Sequence, residues 1–303
     1  MSLTPEQLAM RKYSLGGSDA AVAVGISPYK TPLELYFEKT GLKEPDDISD
    51  NNAVYWGVRL EEIIAEEYIR RTGNEVDFPK DTFYHPDHVF ITAHVDGRMQ
   101  ADKKLLECKT ANLYLEKEWG EIESDEVPLH YIVQCQHYMS VFDYDVTDLA
   151  VLIGGQDYRI YTLQRDNELI DNLINAEQVF WARVKNLDPP PPSNNDDLKL
   201  IYGQDSGGAI ESTAEIEATL ASLKSLKANI KTMDTEKTEL EFLLKKYMED
   251  NTTLLQAGSL KALATWKTQK NNRFQTPVFR EDHPALCEQY TKNSPTRVLR
   301  LKK

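Results

Sequence analysis

Leu105-Leu106-Glu107-Cys108-Lys109 is the stretch on which the reading of the fold turns. An apolar pair running into alternating residues reads as a strand, and on a strand side chains two apart share a face. Glu107 and Lys109 then point one way, and Cys108 points into the core. A carboxylate and an ammonium held side by side on a rigid strand suit metal-assisted hydrolysis of a phosphodiester. The carboxylate binds a hard cation through oxygen, and the ammonium orients an attacking water or neutralises developing charge. The tripeptide alone is a weak signal, since Asp102-Lys103-Lys104 and Asp197-Leu198-Lys199 share the acid-x-Lys pattern. Only Glu107 follows an apolar pair and has an aspartate, Asp96, eleven residues before it at the end of a strand-like run.

That run is Val89-Phe90-Ile91-Thr92-Ala93-His94-Val95. Asp96-Gly97 is expected to turn the chain, and Lys104 to Thr110 to return as a second strand, so that a two-stranded unit brings both carboxylates to one metal. Upstream, Val58, Leu60, Ile63, Ile64 and Tyr68 recur at helical spacing between Trp56 and Arg71, with Gly73 as a stop. Glu61 and Glu62 sit among them. Ser18 to Val24 reads as a short helix behind Gly16-Gly17, and Pro32 to Lys39 as another with proline in its first turn. Downstream, Val127 to Val141 reads as a helix with Gln134 and Tyr138 on one face, where the neutral amide of Gln134 can hold Lys109 in place. Leu149 to Ile153 and Tyr158 to Leu163 form a hairpin around Gly154-Gly155-Gln156-Asp157, and Asp166 to Leu187 is a long amphipathic helix. The expected class is α/β, a mixed central sheet flanked by helices. His85 and His88, in His-Pro-Asp-His, read as a turn and not a metal pair, and His137 as a packed helix residue.

Four consecutive prolines, Pro189 to Pro192, followed by a polar run mark a domain boundary. The division is a main domain over 1–188, a Pro-rich linker over 189–208, and a C-terminal helical region with a basic tail over 209–303. Ser212-Thr213-Ala214-Glu215 looks like a capping box. Ile216, Leu220, Leu223, Ile230, Met233, Leu240, Leu244 and Tyr247 then form an approximate heptad seam, interrupted by Lys227 and Lys237. A helical hairpin or short coiled coil is expected there, and a further hairpin over Leu254 to Trp266.

The 303 residues carry 35 Lys+Arg against 49 Asp+Glu, a formal net charge of −14. That excludes a protein that coats nucleic acid uniformly, because phosphate binding rests on Lys and Arg displacing counterions. The total conceals an asymmetry. Residues 254–303 hold ten Lys/Arg and three Asp/Glu, a net of +7, which leaves −21 on the first 253. A basic tail on an acidic body is a local electrostatic footprint. No apolar run approaches the roughly 18 residues of a membrane span, and Met1 to Glu6 lack the basic and apolar regions of a signal peptide. Three widely spaced cysteines, Cys108, Cys135 and Cys287, fit a reducing cytosol and exclude a disulfide scaffold or a four-cysteine metal site. A soluble, cytoplasmic protein with no membrane partner is expected.

Five segments together carry a family resemblance. They are Leu15-Gly16-Gly17-Ser18-Asp19-Ala20-Ala21 with Gly25 to Pro32, then Trp56-Gly57-Val58-Arg59-Leu60-Glu61, then Asp96-Gly97, then Leu106-Glu107-Cys108-Lys109, then Tyr131-Ile132-Val133-Gln134-Cys135-Gln136. In this order, across about residues 11 to 165, they resemble the phage lambda exonuclease and YqaJ-type viral recombinase family of the PD-(D/E)xK nuclease superfamily. The resemblance implies a site in which Asp96 and Glu107 hold a divalent metal with the Cys108 backbone carbonyl as a third oxygen. It implies that Glu61 adds a helix-borne carboxylate, Lys109 assists the nucleophilic water and Gln134 positions Lys109. It implies Mg2+, with Mn2+ as a substitute and one or two ions per site. Arg11, seven residues before Ser18, would grip a 5′-terminal phosphate with it, Gly16-Gly17 letting the backbone approach the anion. The implied activity is 5′-to-3′ exonucleolysis of linear double-stranded DNA, leaving a 3′ overhang for phage-type recombination in the host cytoplasm. A ring-like homo-oligomer and a single-strand annealing partner come with it. An endonuclease of the same superfamily, or a non-catalytic module that binds DNA ends as a recombination scaffold, are the alternatives. The region from about residue 209 has no counterpart in the match.

Overall fold

The computed structural model describes residues 10–48, 50–122 and 124–302. The Met1 to Glu6 stretch and Lys303 of the basic tail lie outside the described residues. The chain divides into two compact units, Met1–Ile201 and Tyr202–Lys303.

In the first unit the described elements run, in order, α1 (Gly17–Ala23), α2 (Pro32–Thr40), α3 (Asn52–Thr72), β1 (Phe83–Tyr84), β2 (Thr92–Ala93), β3 (Gly97–Met99) and β4 (Lys104–Ala111). They continue with α4 (Leu129–Phe142), β5 (Val146–Ile153), β6 (Asp157–Gln164), α5 (Asn167–Asn186) and α6 (Asn195–Tyr202), whose last residue opens the second unit. Strands β3-β4-β5-β6 form one sheet in that order, with β4 parallel to β5 and the other pairs antiparallel. It is the mixed sheet flanked by helices that the sequence implies. Local chemistry sets the ends of the helices. The Thr31 hydroxyl accepts from Glu34 N–H to open α2, and Gly41 and Gly73, at φ 74 and 73, close α2 and α3 in the left-handed region that glycine tolerates.

Alternation along β4 separates its two faces. Leu106 and Cys108 pack with Ile64, Ala65 and Tyr68 of α3, whereas Leu105 packs with Tyr138 and Met139 of α4. Glu107 and Lys109 share the face of Leu105, so they look toward α4.

Three local expectations change. Asp96-Gly97 is not a turn: Gly97 opens β3 opposite Leu106, and the chain reverses over residues 100–103, with Lys103 at φ 48. Gly97 serves close packing, since a Cβ there would lie 2.5 Å from Val76 Cγ1. The strand expected over Val89 to Val95 shrinks to Thr92–Ala93, because the flanking backbone bonds the N-terminal segment instead. Leu15 N–H donates to Phe90 O at 2.6 Å and Thr92 N–H to Leu15 O at 2.8 Å. The linker expected over 189–208 contains α6, where buried Asp197 accepts from Ser193 N–H at 2.7 Å and from the Thr31 hydroxyl at 2.7 Å. These bonds fasten α6 to the start of α2, and the first unit runs to Ile201 and not to 188.

In the second unit the elements are α7 (Ala214–Met248), β7 (Thr253–Leu255), β8 (Ala262–Thr265), α8 (Thr276–Asp282) and α9 (Pro284–Tyr290). The helical hairpin gives way to one 35-residue helix capped by Thr213, and no glycine or proline interrupts 214–248. The seam residues Ile216, Leu220, Ile230, Met233, Leu240, Leu244 and Tyr247 are exposed along it. Strands β7 and β8 pair antiparallel, as the sequence suggests. Among the described residues no helix is long and apolar enough to cross a membrane, and the three cysteines are free thiols.

Candidate active site

One wall of the site is the start of α1. Arg11, in a short 3-10 turn over Arg11–Tyr13, donates from Nη2 to the Ser18 hydroxyl at 3.0 Å and lies 3.6 Å from Asp19. Lys39, buried at the end of α2, donates to Asp19 Oδ2 at 2.7 Å and to the Arg11 carbonyl at 2.6 Å. Burial would raise the Asp19 carboxyl, but the charges of Lys39 and Arg11 outweigh it and hold the group at about 2. Asp19 Oδ2 also accepts from Gly16 N–H at 3.2 Å. The Arg11–Ser18 pair thus rests on an ionised buried carboxylate and its lysine.

The opposite wall is β4 against α4. Glu107 is 2% exposed. Its Oε1 is ion-paired with Lys109 Nζ and accepts from Gln134 Nε2 at 2.7 Å, the same amide nitrogen lying 3.1 Å from the Tyr138 hydroxyl. Gln134 therefore holds Glu107, and not Lys109 directly as expected. The difference follows from hydrogen-bond chemistry, since the amide N–H is a donor and finds its acceptor in the carboxylate, not in the ammonium. Asp96, just ahead of β3, accepts from Cys108 N–H at 2.8 Å. The buried main chain of Cys108 is thereby set against the Asp96 carboxylate, while its thiol lies in the core on the α3 side.

Burial and the neighbouring Asp96 charge push the Glu107 carboxyl up to about 7, against the pull of Lys109. Burial would lower Lys109, but Glu107 and Asp96 outweigh it and hold the ammonium well above the usual lysine range. Lys109 is therefore a fixed positive charge, 5.4 Å over the Tyr131 ring. Glu107 Oε2 is buried without a hydrogen-bond partner. An orphaned carboxylate oxygen next to a second carboxylate is the donor chemistry that a hard divalent cation fits.

The two walls close one cleft of about 270 Å³, lined by Arg11, Ser18, Asp96, Glu107, Lys109 and Gln134 among others. Six residues separated by up to 123 positions in the chain meet there. Glu61 does not line the cleft. It sits on α3 one turn beyond Gly57, whose Cβ position lies 3.6 Å from the Thr110 hydroxyl. Among the described residues no group of three or more His, Cys, Asp or Glu side chains is placed to hold a metal.

The groups that support these residues leave no local trace in the sequence. Lys39 sits 20 residues from Asp19, and nothing local marks the pair. Tyr138 shares a helix face with Gln134, but spacing alone assigns it no role. The sequence offers Gly17 as a close approach to an anion; in the structure its Cβ position falls 2.4 Å from the Tyr138 ring. His137 is packed, as expected, at 0% exposure. Its Nδ1 meets Glu177 at 2.7 Å and its Nε2 the Thr92 carbonyl at 2.9 Å. His85 and His88 stack at 5.0 Å within their turn, where His85 Nδ1 accepts from Asp87 N–H.

The mixed sheet thus presents Glu107 and Lys109 from one strand, with an aspartate at the head of the neighbouring edge strand, the arrangement that the family resemblance implies. Residues 6–148 match the model of the YqaJ-like viral recombinase domain. The chain is 34% identical over 307 residues to the uncharacterized protein YqaJ of Bacillus subtilis (strain 168), covering 98% of this chain and 93% of that protein. It belongs to the YqaJ-like viral recombinase family. The fold is also that of the alkaline exonuclease LHK-Exo from Laribacter hongkongensis, with a TM-score of 0.51 at 21% identity over 61% of this chain and 94% of that one. The complex of LHK-Exo with dAMP superposes with a TM-score of 0.50.

Proposed function

We propose that the protein is a Mg2+-dependent exonuclease that degrades linear double-stranded DNA from the 5′ end and leaves a 3′ single strand for recombination. The observation that carries this reading is the position of the Arg11–Ser18 pair, in the same cleft as Asp96, Glu107 and Lys109. A guanidinium and a hydroxyl beside a helix start suit a terminal phosphate, and they lie across the cleft from a donor set suited to phosphodiester hydrolysis. The exonuclease activity of LHK-Exo and the recombinase family of the chain support it.

Asp96 and Glu107, with the Cys108 carbonyl, are the residues that would hold magnesium, with Mn2+ as a substitute. A bound ion would supply a polarised phosphate and a more acidic water. The chain's own groups do the rest. Lys109, kept charged by its two carboxylates, cannot take a proton; it orients the attacking water and offsets charge developing on the phosphate. Gln134 fixes the rotamer of Glu107 through Oε1 and leaves Oε2 without a hydrogen-bond partner. Arg11 and Ser18 set the register of the strand, so that the bond reached by the carboxylates is counted from the 5′ end. A ring-like homo-oligomer and a single-strand annealing partner belong to the same reading, with host cytoplasm as the setting.

Linear duplex labelled separately at each 5′ and 3′ end, followed with and without Mg2+, tests the proposal. Glu107→Ala and Lys109→Ala should abolish nucleotide release while end binding survives. Wild-type rates in either variant refute the site, and cleavage of closed circular DNA turns the reading to an endonuclease. Equal rates on 5′-phosphorylated and 5′-hydroxyl ends refute the role of Arg11 and Ser18 alone.

A further inference from the structure

We infer that the segment 261–280 of the second unit is a binding site for single-stranded DNA. From Asn251 to Arg280 the chain has no aspartate or glutamate and five cations: Lys261, Lys267, Lys270, Arg273 and Arg280. All five are exposed. Several basic side chains elsewhere are ion-paired with carboxylates, as in Arg70–Glu67, Arg98–Asp77 and Lys104–Asp148, and on α7 in Lys245–Glu241. Among the described residues none of the five is in such a pair. A polyanion can therefore bind them without displacing an internal partner, and the gain is the release of its own counterions.

The backbone presents this charge in an open form. Strand β8 ends at Thr265, Trp266 N–H is clamped on Thr252 O at 3.0 Å, and residues 266–275 form neither helix nor strand before α8 begins at Thr276. Two aromatic side chains bracket the central cations. Trp266 is 46% exposed and Phe274 66% exposed. Phe274 lies 4.9 Å from Phe279, which in turn lies 5.0 Å from His283.

Cations alone suit any polyanion. Aromatic faces held in water between them suit unstacked bases, which a duplex hides within its own stack. The acidic surface of another copy would use the cations and leave Trp266 and Phe274 idle. The inference deepens the nuclease reading, because resection of one strand leaves another to be held, but its test needs no hydrolysis.

The experiment is fluorescence anisotropy of a labelled oligothymidylate with the full-length chain in EDTA, across a salt series. Replacing Lys267, Lys270 and Arg273 together by alanine should flatten the slope of log affinity against log salt by about 2. Trp266→Ala with Phe274→Ala should weaken binding about tenfold and leave the slope unchanged. Wild-type affinity and slope in both variants overturn the site. Equal competition by duplex of the same length overturns the preference for single strands. A triple variant that binds oligothymidylate normally but loses self-association in sedimentation assigns the segment to a second copy instead. A chain that binds oligothymidylate through these residues yet never shortens linear duplex refutes the nuclease proposal and leaves this one standing.

Discussion

Gly17→Ala is the smallest change that strains both walls of the cleft. The added Cβ would lie 2.4 Å from Tyr138 Cε1, 2.5 Å from Cζ and 2.9 Å from the hydroxyl, against ordinary contacts of roughly 3.5–4.0 Å between carbons. Relief needs a shift of about 1 Å, and the ring has little room, being 6% exposed and packed with Leu105 and Met139. Overpacking of a close-packed site costs about 1–3 kcal/mol, and alanine in a helix returns about 0.5–1 kcal/mol. The midpoints of these ranges leave a net loss of about 1.25 kcal/mol, or roughly 3–5 °C for a unit of this size. The effect on activity should exceed the effect on stability. The Tyr138 hydroxyl and Glu107 share the Gln134 amide, so a displaced ring drags the amide off the carboxylate. Calorimetry and nucleotide release from linear duplex read the two effects, with Gly16→Ala as the control. Gly16 has φ −91, and a Cβ there meets nothing within 4 Å, so it should show only the modest cost of alanine at a helix N-cap and no clash. Adding Tyr138→Leu should recover part of the melting temperature lost by Gly17→Ala, a non-additivity expected of residues in contact. Wild-type melting in Gly17→Ala, or strict additivity in the double variant, refutes the packing argument.

Asp19→Asn removes the carboxylate that holds Lys39 and should cost about 3–5 kcal/mol at neutral pH, the range for breaking a buried pair. The folded carboxyl titrates at about 2, below its unfolded value, so this stability is present above the unfolded value and lost as pH falls toward 2. Urea unfolding at pH 7 and near pH 2 should show the gap between wild type and variant closing in acid. Glu177→Gln acts in the other direction. Burial lowers His137, but Glu177 outweighs it and raises the folded group above its ordinary value. The stability it adds is full below the unfolded value near 6.5 and is lost as pH rises through the folded one. The variant should therefore lose more melting temperature at pH 6 than at pH 9, and an equal loss at both would refute a charged His137. Mg2+ at a hundredfold excess over its dissociation constant should stabilise the first unit by about 2.7 kcal/mol. Glu107→Gln should abolish that thermal shift.

The architecture was legible because period and punctuation agree. Helical spacing with Gly73 as a stop gives α3, and strict alternation through Glu107 and Lys109 gives β4. What was misread depends on long-range partners. Asp96-Gly97 has the composition of a turn, but the paired backbone of β4 draws Gly97 into a strand, where Val76 leaves no room for a side chain. Asp197 looks like a solvated residue after a run of prolines until Thr31, 166 residues away, supplies its partner. The site residues were legible as types at a spacing; Lys39 was not, because its role exists only once α2 lies beside α1.

The reason the two walls act together lies in a single turn of α4. Gln134, His137 and Tyr138 fall at i, i+3 and i+4, on adjoining faces of the helix, and each reaches a different element. Gln134 bonds Glu107 on β4, His137 bonds the Thr92 carbonyl on β2, and the Tyr138 ring abuts Gly17 on α1. Thr92 in turn bonds Leu15 and Ser14, just before Ser18. The end-binding wall and the carboxylate wall are thus both referenced to one rigid helix turn and not to each other across solvent. A helix holds such positions more closely than a loop. Changes on α4 should therefore move phosphate capture and hydrolysis together, whereas changes on the α3 face of β4 act on the carboxylates alone.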